Sequence, residues 1–249
     1  MSAQLLLEDV AVSLADQERR FTLSVPGLTL APGEVIGLTG PSGTGKTLLL
    51  ETLGLLRRPS SVGQFQIVSD DGPLDLSGIW ADTQVTPAEI RGFMFGFVPQ
   101  SGGLLPFLSV ADNVALSQKI AGAEDTVWRD ELLSRLGIDE IRNLFPGALS
   151  IGQRQRVAIC RALAHRPAFV IADEPTAALD PEAATRAMGL LIDMATIGGA
   201  GVIISSHDLN LLDRFDLRRV SLGLVGTPGD NEVVSQLSGQ TSAMVGEPA

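Results

Sequence analysis

The run Gly40-Pro41-Ser42-Gly43-Thr44-Gly45-Lys46-Thr47 constrains this chain more than any other feature. It stands between two apolar stretches, Val35-Ile36-Gly37-Leu38 and Leu48-Leu49-Leu50, so it reads as strand, tight loop and helix. Glycines in such a loop let the backbone curl until successive N–H groups face one point. The helix that follows turns its positive end to the same point. The Lys46 ammonium and the Thr47 hydroxyl complete the pattern G-x-x-x-x-G-K-[ST], a cradle for the phosphates of a nucleoside triphosphate, with Thr47 a candidate ligand for Mg²⁺. A turn that merely happened to contain lysine would not need glycine, lysine and hydroxyl at these spacings between a strand and a helix.

With 249 residues, the chain has room for one large α/β domain, or a domain with an inserted lobe, around a substantial core. Its net charge of −11 argues against a nucleic-acid binder and against direct adhesion to anionic lipid. Only Lys46 and Lys119 are lysines among 18 basic residues, and one of the two lies in the phosphate loop, where a compact ammonium suits the task. The single cysteine, Cys160, leaves no internal disulfide framework and fits a reducing compartment. No apolar run reaches the roughly 18 residues of a membrane span and no signal segment opens the chain, so a cytoplasmic protein is expected.

Residues 4–12 and 21–30 read as strands, the second ended by Pro32-Gly33. The helix after the phosphate loop is expected to run to about Leu56, where Arg57-Arg58-Pro59 stops it. Residues 60–90 read as short strands and turns. A short strand, Gly96-Phe97-Val98, leads to Gln100. Helical patterns follow over 110–121, 126–136 and 152–164, and then strand and helix alternate again over 168–172, 181–197 and 202–206. The simplest account is an α/β nucleotide core carrying a helical insertion between Gln100 and about Pro167. The Ser-, Gly-, Gln- and Thr-rich stretch beyond Gly229 reads as peripheral or partly disordered.

Two further segments carry chemistry. Phe169-Val170-Ile171-Ala172-Asp173-Glu174 is an apolar strand ending in two carboxylates. A phosphate-loop enzyme needs a carboxylate at a neighbouring strand end for Mg²⁺, and Asp173 fits. Glu174 points away from the strand axis in the other direction and is a candidate to polarise water. Leu149-Ser150-Ile151-Gly152-Gln153 precedes a helix. Taken alone, Ser150 followed by Gln153 is a capping box that can start any helix.

In this order, the motifs resemble the ATP-binding subunit of an ABC transporter, from about Leu5 to Gly226. The resemblance implies a single domain, 1–249, of the α/β class: a P-loop NTPase core of mixed sheet (1–100 and 167–228) with an N-terminal antiparallel β part, an inserted helical subdomain (101–166) and a peripheral tail (229–249). It implies ATP and Mg²⁺ as cofactors, with residues 40–47 on the nucleotide and Thr47, Asp173 and Gln100 on the metal. Glu174, His207 and Gln100 are then catalytic, with His207 the switch histidine beside the γ-phosphate. Residues 149–153 are similar to the Leu-Ser-Gly-Gly-Gln signature, so Ser150, Gly152 and Gln153 would meet the nucleotide of a facing subunit. Such a capped helix start is itself an anion site. Ile151 replaces the first glycine; a positive φ there would strain a β-branched residue, so altered closure is expected. Asp180 in Ala178-Leu179-Asp180 resembles the D-loop and also suits an N-cap before Pro181. His165, at a helix end, is expected to partner the helix dipole.

One part of the family pattern is missing. The aromatic that stacks on adenine falls at about Leu14, the chain has no tyrosine, and Phe21 is the closest aromatic in sequence. Either an aliphatic side chain or Phe21 serves, and weak discrimination between ATP and GTP is expected. The stretch 100–114 is similar to the lipoprotein-release, macrolide-export and cell-division branch. Within it, Leu104-Leu105-Pro106-Phe107 is either core or a groove for a membrane subunit's coupling helix. Implied partners are a second copy or a related chain, as a homodimer or heterodimer, and integral membrane permease subunits, on the cytoplasmic face of the cell membrane and without nucleic acid. A regulatory ATPase that gates a membrane partner without transport uses the same motifs. A nucleic-acid ATPase of the same superfamily would carry a coiled-coil insertion or a second phosphate loop, and neither is found.

Overall fold

The computed structural model describes residues 3–15, 20–81, 84–225 and 232–239. Strands β1 (Ala3–Ala15) and β2 (Arg20–Leu30) pair antiparallel from Leu5 opposite Leu30 to Ala15 opposite Arg20. Leu5, Leu7, Val10 and Val12 are buried, and that spacing skips one residue. At the step Asp9 has a left-handed backbone, φ 49, while the register with β2 is the same before and after it, Glu8 opposite Gly27 and Val10 opposite Val25. Strand β3 (Val35–Thr39) feeds the phosphate loop and helix α1 (Lys46–Leu53), after which β4 (Gln64–Ser69) and β5 (Gly72–Asp75) extend the antiparallel part.

Helix α2 (Pro87–Met94) then leads to β6 (Phe95–Val98). Three helices follow, α3 (Val110–Ala121), α4 (Thr126–Arg135) and α5 (Ile151–Leu163). Alternation resumes with β7 (Phe169–Asp173), α6 (Pro181–Gly198), β8 (Gly201–Ser205), α7 (Leu209–Arg214), β9 (Arg218–Val225) and β10 (Glu232–Gly239). All ten strands belong to one mixed sheet, ordered β5-β4-β1-β2-β10-β9-β3-β8-β7-β6. From β9 to β6 every neighbouring pair is parallel, so the ends of β3, β8 and β7 emerge side by side on one edge, the usual place for a ligand in such a sheet.

Two apolar clusters fill the layers. One joins β1, β2, β4 and α1 around Leu7, Leu23, Leu49 and Phe65. The other joins the inserted helices to the parallel strands around Leu132, Val157, Val170, Met188 and Val202. The helical insertion therefore shares its core with the sheet.

Three expectations need correction. Residues 60–90 end in the first turn of helix α2, which is opened by a full capping box in which Thr86 Oγ1 accepts from Glu89 N and Glu89 Oε2 accepts from Thr86 N. The segment beyond Gly229 is not wholly peripheral, because Glu232–Gly239 is an interior strand parallel to β2 and antiparallel to β9; residues 229–231 and 240–249 lie outside the described residues. The strand is hard to see in sequence because one of its buried positions is Ser235. His165 is buried, and burial holds its pKa below the usual histidine value, so it is no cation for a helix end; its Nε2 meets the Phe95 carbonyl at 3.2 Å. Burial likewise pushes the Cys160 thiol up, so it stays protonated and inert.

Candidate functional site

The phosphate loop takes its shape from residues far from it in sequence. Gly40 has φ 143, and a Cβ there would lie 2.5 Å from the Leu222 carbonyl oxygen of β9. Gly45, the N-cap of α1, has φ 89, and a Cβ would lie 3.1 Å from the Phe21 ring. Gly40 admits no side chain, and one at Gly45 would strain the backbone and press on the Phe21 ring. Thr44 Oγ1 donates to Pro41 O at 2.8 Å, and Ser235 Oγ donates to Thr44 O at 2.7 Å. Lys46, only 9 % exposed, lies across the loop, with Nζ donating to Gly40 O at 2.8 Å and Pro41 O at 3.1 Å. No side chain caps α1, which leaves its first N–H groups to a ligand.

Beside the loop is a cavity of about 410 Å³ lined by Leu14, Phe21, Ser42, Lys46, Thr47 and Glu174, among others. Leu14 and Phe21 are opposite one another on β1 and β2, so both candidates for the missing aromatic border the same space.

The two carboxylates divide the polar contacts between them. Asp173 Oδ2 accepts from Thr47 Oγ1 at 2.8 Å and Asp173 Oδ1 from Ser205 Oγ at 2.6 Å. Glu174 Oε1 lies 2.9 Å from His207 Nδ1, and Glu174 Oε2 accepts from Gln100 Nε2 at 3.4 Å. Gln100, expected on the metal and water, thus approaches Glu174. The Glu174 backbone is left-handed, φ 45, a conformation that costs about 1–3 kcal/mol in a residue other than glycine; its N–H donates to Ser205 Oγ at 2.8 Å. The Thr47 hydroxyl and the Asp173 carboxylate are hard oxygen donors in mutual contact, the donor chemistry Mg²⁺ selects.

Other candidates stand apart. Among the described residues, Ser150, Gly152, Gln153 and Asp180 do not line the cavity beside the loop. Ser150 caps α5: Gln153 N donates to Ser150 Oγ at 3.2 Å and Ser150 N to Gln153 Oε1 at 2.8 Å. Ile151, the first residue of α5, is half exposed and is not among the described residues with positive φ, so the expected strain does not arise. Asp180 caps α6, and the Ala183 and Glu182 amides hold its pKa below the usual aspartate value. Phe107 is 71 % exposed, which removes the core reading for that side chain. The loop carrying it is pinned by buried Asn113, whose Nδ2 donates to the carbonyls of Leu105, Leu108 and Ser109.

Reasoning from sequence overlooked Ser205 and Ser235. Each is a buried hydroxyl, Ser205 at a strand end and Ser235 in a strand interior, and a polar residue in an apolar strand was the available signal.

Comparison with known proteins follows the same lines. The sequence model of the ABC transporter family matches residues 23–177. The lipoprotein-releasing system ATP-binding protein LolD of Hyphomonas neptunium is 42 % identical over 192 residues, covering 76 % of this chain and 81 % of that protein. LolD 1 of Rhodospirillum rubrum is 38 % identical over 218 residues, covering 86 % and 93 %. A dimeric structure of MJ0796, described as a bacterial ABC transporter cassette, superposes with a TM-score of 0.71 at 31 % identity over 87 % of this chain and 93 % of that one. The same cassette in a dimeric post-hydrolysis state bound to ADP and Pi gives 0.73 at 32 % over 92 % and 96 %.

Proposed function

This chain belongs to the ABC transporter family as an ATP-hydrolysing, ATP-binding subunit, and on that footing we propose that two copies, or one copy and a related chain, close around ATP and drive separate membrane subunits. The observation that carries the reading is the meeting, at adjoining strand ends, of Thr47 with Asp173 and of Glu174 with Gln100 and His207.

In this proposal, residues 40–47 hold the triphosphate through backbone N–H groups and the Lys46 ammonium. Thr47 and Asp173, with Gln100, would hold Mg²⁺, which when bound supplies positive charge against the phosphate oxygens. Glu174 takes the proton of the attacking water or orients it, and His207 steadies the γ-phosphate. Ser150 and Gly152 reach the nucleotide from the facing copy, because in their own copy they do not line the cavity beside the loop. Gln153 fixes Ser150, and Asp180 lies near the dimer interface. Leu14 and Phe21 border the base. Neither brings a hydrogen-bonding side chain to read it, so ATP and GTP are expected to be used comparably.

The membrane partner is proposed to dock on the surface carrying Phe107, through an apolar segment. Among the described residues no helix is long and apolar enough to cross a membrane, so attachment to the cytoplasmic face would run through that partner. Relatives named for lipoprotein release, 35–42 % identical, favour transport of lipidated protein over pure regulation.

The test is Glu174→Gln in the purified protein. Turnover should fall by about 100-fold or more while an ATP-bound dimer accumulates on a sizing column. Normal turnover in that variant sinks the assignment.

A further inference from the structure

Ser205 has no place in the reading above, yet it bonds the carboxylate of Asp173 and the backbone amide of Glu174. Strand β8 lies between β3 and β7, and its register sets Ser205 opposite Leu38 on one side and Asp173 on the other. The side chain is completely buried. Its hydroxyl proton goes to Asp173 Oδ1 at 2.6 Å, and its lone pair accepts the Glu174 N–H at 2.8 Å. Both hydrogen-bonding functions are engaged, in compatible directions.

We propose that Ser205 is a positioning residue that sets the two carboxylates in their separate tasks. By holding Oδ1, it fixes the rotation of the Asp173 carboxylate and turns Oδ2 to Thr47. By accepting from the amide of Glu174, it anchors the left-handed backbone that carries the Glu174 side chain to His207 and Gln100. No other described side chain contacts both members of the pair by hydrogen bond, and a hydrocarbon in its place would take away the partner of this half-buried N–H. Without the hydroxyl, Asp173 is free to rotate and Glu174 to relax towards an ordinary φ. Each change displaces a reacting group while leaving the phosphate loop itself intact. This inference rests on the roles given to Asp173 and Glu174 above.

Threonine and valine differ at this position only by hydroxyl against methyl, and both suit a strand. In the full chain, Ser205→Thr should keep kcat within about 3-fold of the parent, whereas Ser205→Val should lower kcat by about 10- to 100-fold, as misplacement of reacting groups does. KM for ATP should stay within about 3-fold in both. A second readout needs no turnover: the gain in equilibrium ATP affinity on adding Mg²⁺ should persist in the threonine variant and shrink several-fold in the valine variant. A merely structural serine would instead lower thermal stability and leave kcat per folded molecule unchanged. Equal behaviour of the two variants overturns the proposal, whether both match the parent or both lose activity. If neither folds, Ser205→Ala takes their place, and a kcat within about 3-fold of the parent overturns it equally. Glu174→Gln measured alongside separates the two levels. If that variant turns over normally, the carboxylate roles are at fault; if it is inactive while valine equals threonine, the role of Ser205 alone fails.

Discussion

The helix that starts at Lys46 and the helix that starts at Ile151 both offer an N-terminus to an anion, but they are held by different means. The first has no side-chain cap. Its loop is pressed into shape by Phe21, Leu222 and Ser235 and tied to Asp173 through Thr47, partners 191 and 126 residues away in the last two cases. The second is capped within three residues by Ser150 and Gln153 and presents a half-exposed Ile151. A loop that must grip a triphosphate from all sides needs the whole fold to shape it. A helix start that meets the nucleotide of another copy has only to be rigid and outward-facing, and local capping suffices. The difference argues that the two ends serve two sites.

The comparison can be broken at several points, the largest effect coming first. Lys46→Ala removes the charge at the loop and should weaken ATP binding by about 100-fold or more, as losing a buried charged contact does, measured by equilibrium dialysis; retained binding would mean that the loop does not hold the phosphates. Ser150→Ala should lower turnover by about 10-fold while costing about 1 kcal/mol of stability through the lost cap. Its affinity for ATP in dilute monomer should remain within about 2-fold. A parallel loss of monomer affinity and turnover would place both helix starts in one site and end the contrast. Phe21→Ala should raise KM for ATP and GTP together by about 3- to 10-fold, the order expected for losing one base–aromatic contact. A rise for one nucleotide only would show that the ring reads the base, and a strong parental preference for ATP would itself contradict weak selectivity.

Much of the fold could be read along the chain because its signals are local. The helix expected over 110–121 is α3 as found, since Ser109 and Asp112 open it and Gly122 closes it with φ 62. The strand ending in Asp173 was visible from its apolar run. What escaped was set by distant partners. Strand β10 has a polar face and a buried serine, and it is a strand because β2 and β9 flank it. Helix α2 is an exception: Thr86-Pro87 followed by Glu89 is a local start signal that the surrounding glycines and prolines obscured. In the site, the motifs pointed to Thr47, Asp173, Glu174 and His207, which the fold does bring together. The contact of Gln100 with Glu174, and the bridging by Ser205, depend on strand register and rotamer, which no spacing encodes.

The position of β10 also bears on the order of assembly. The hydrogen-bonded sheet passes from its antiparallel half to its parallel half only through this strand, between β2 and β9. On the ribosome, the phosphate loop is made early, but Ser235, which holds the Thr44 carbonyl, emerges almost two hundred residues later. Until then the sheet is two separate pieces, and the loop lacks part of its floor. The contacts that join the two halves of the sheet and complete the loop are thus long-range ones, of the kind that slow folding.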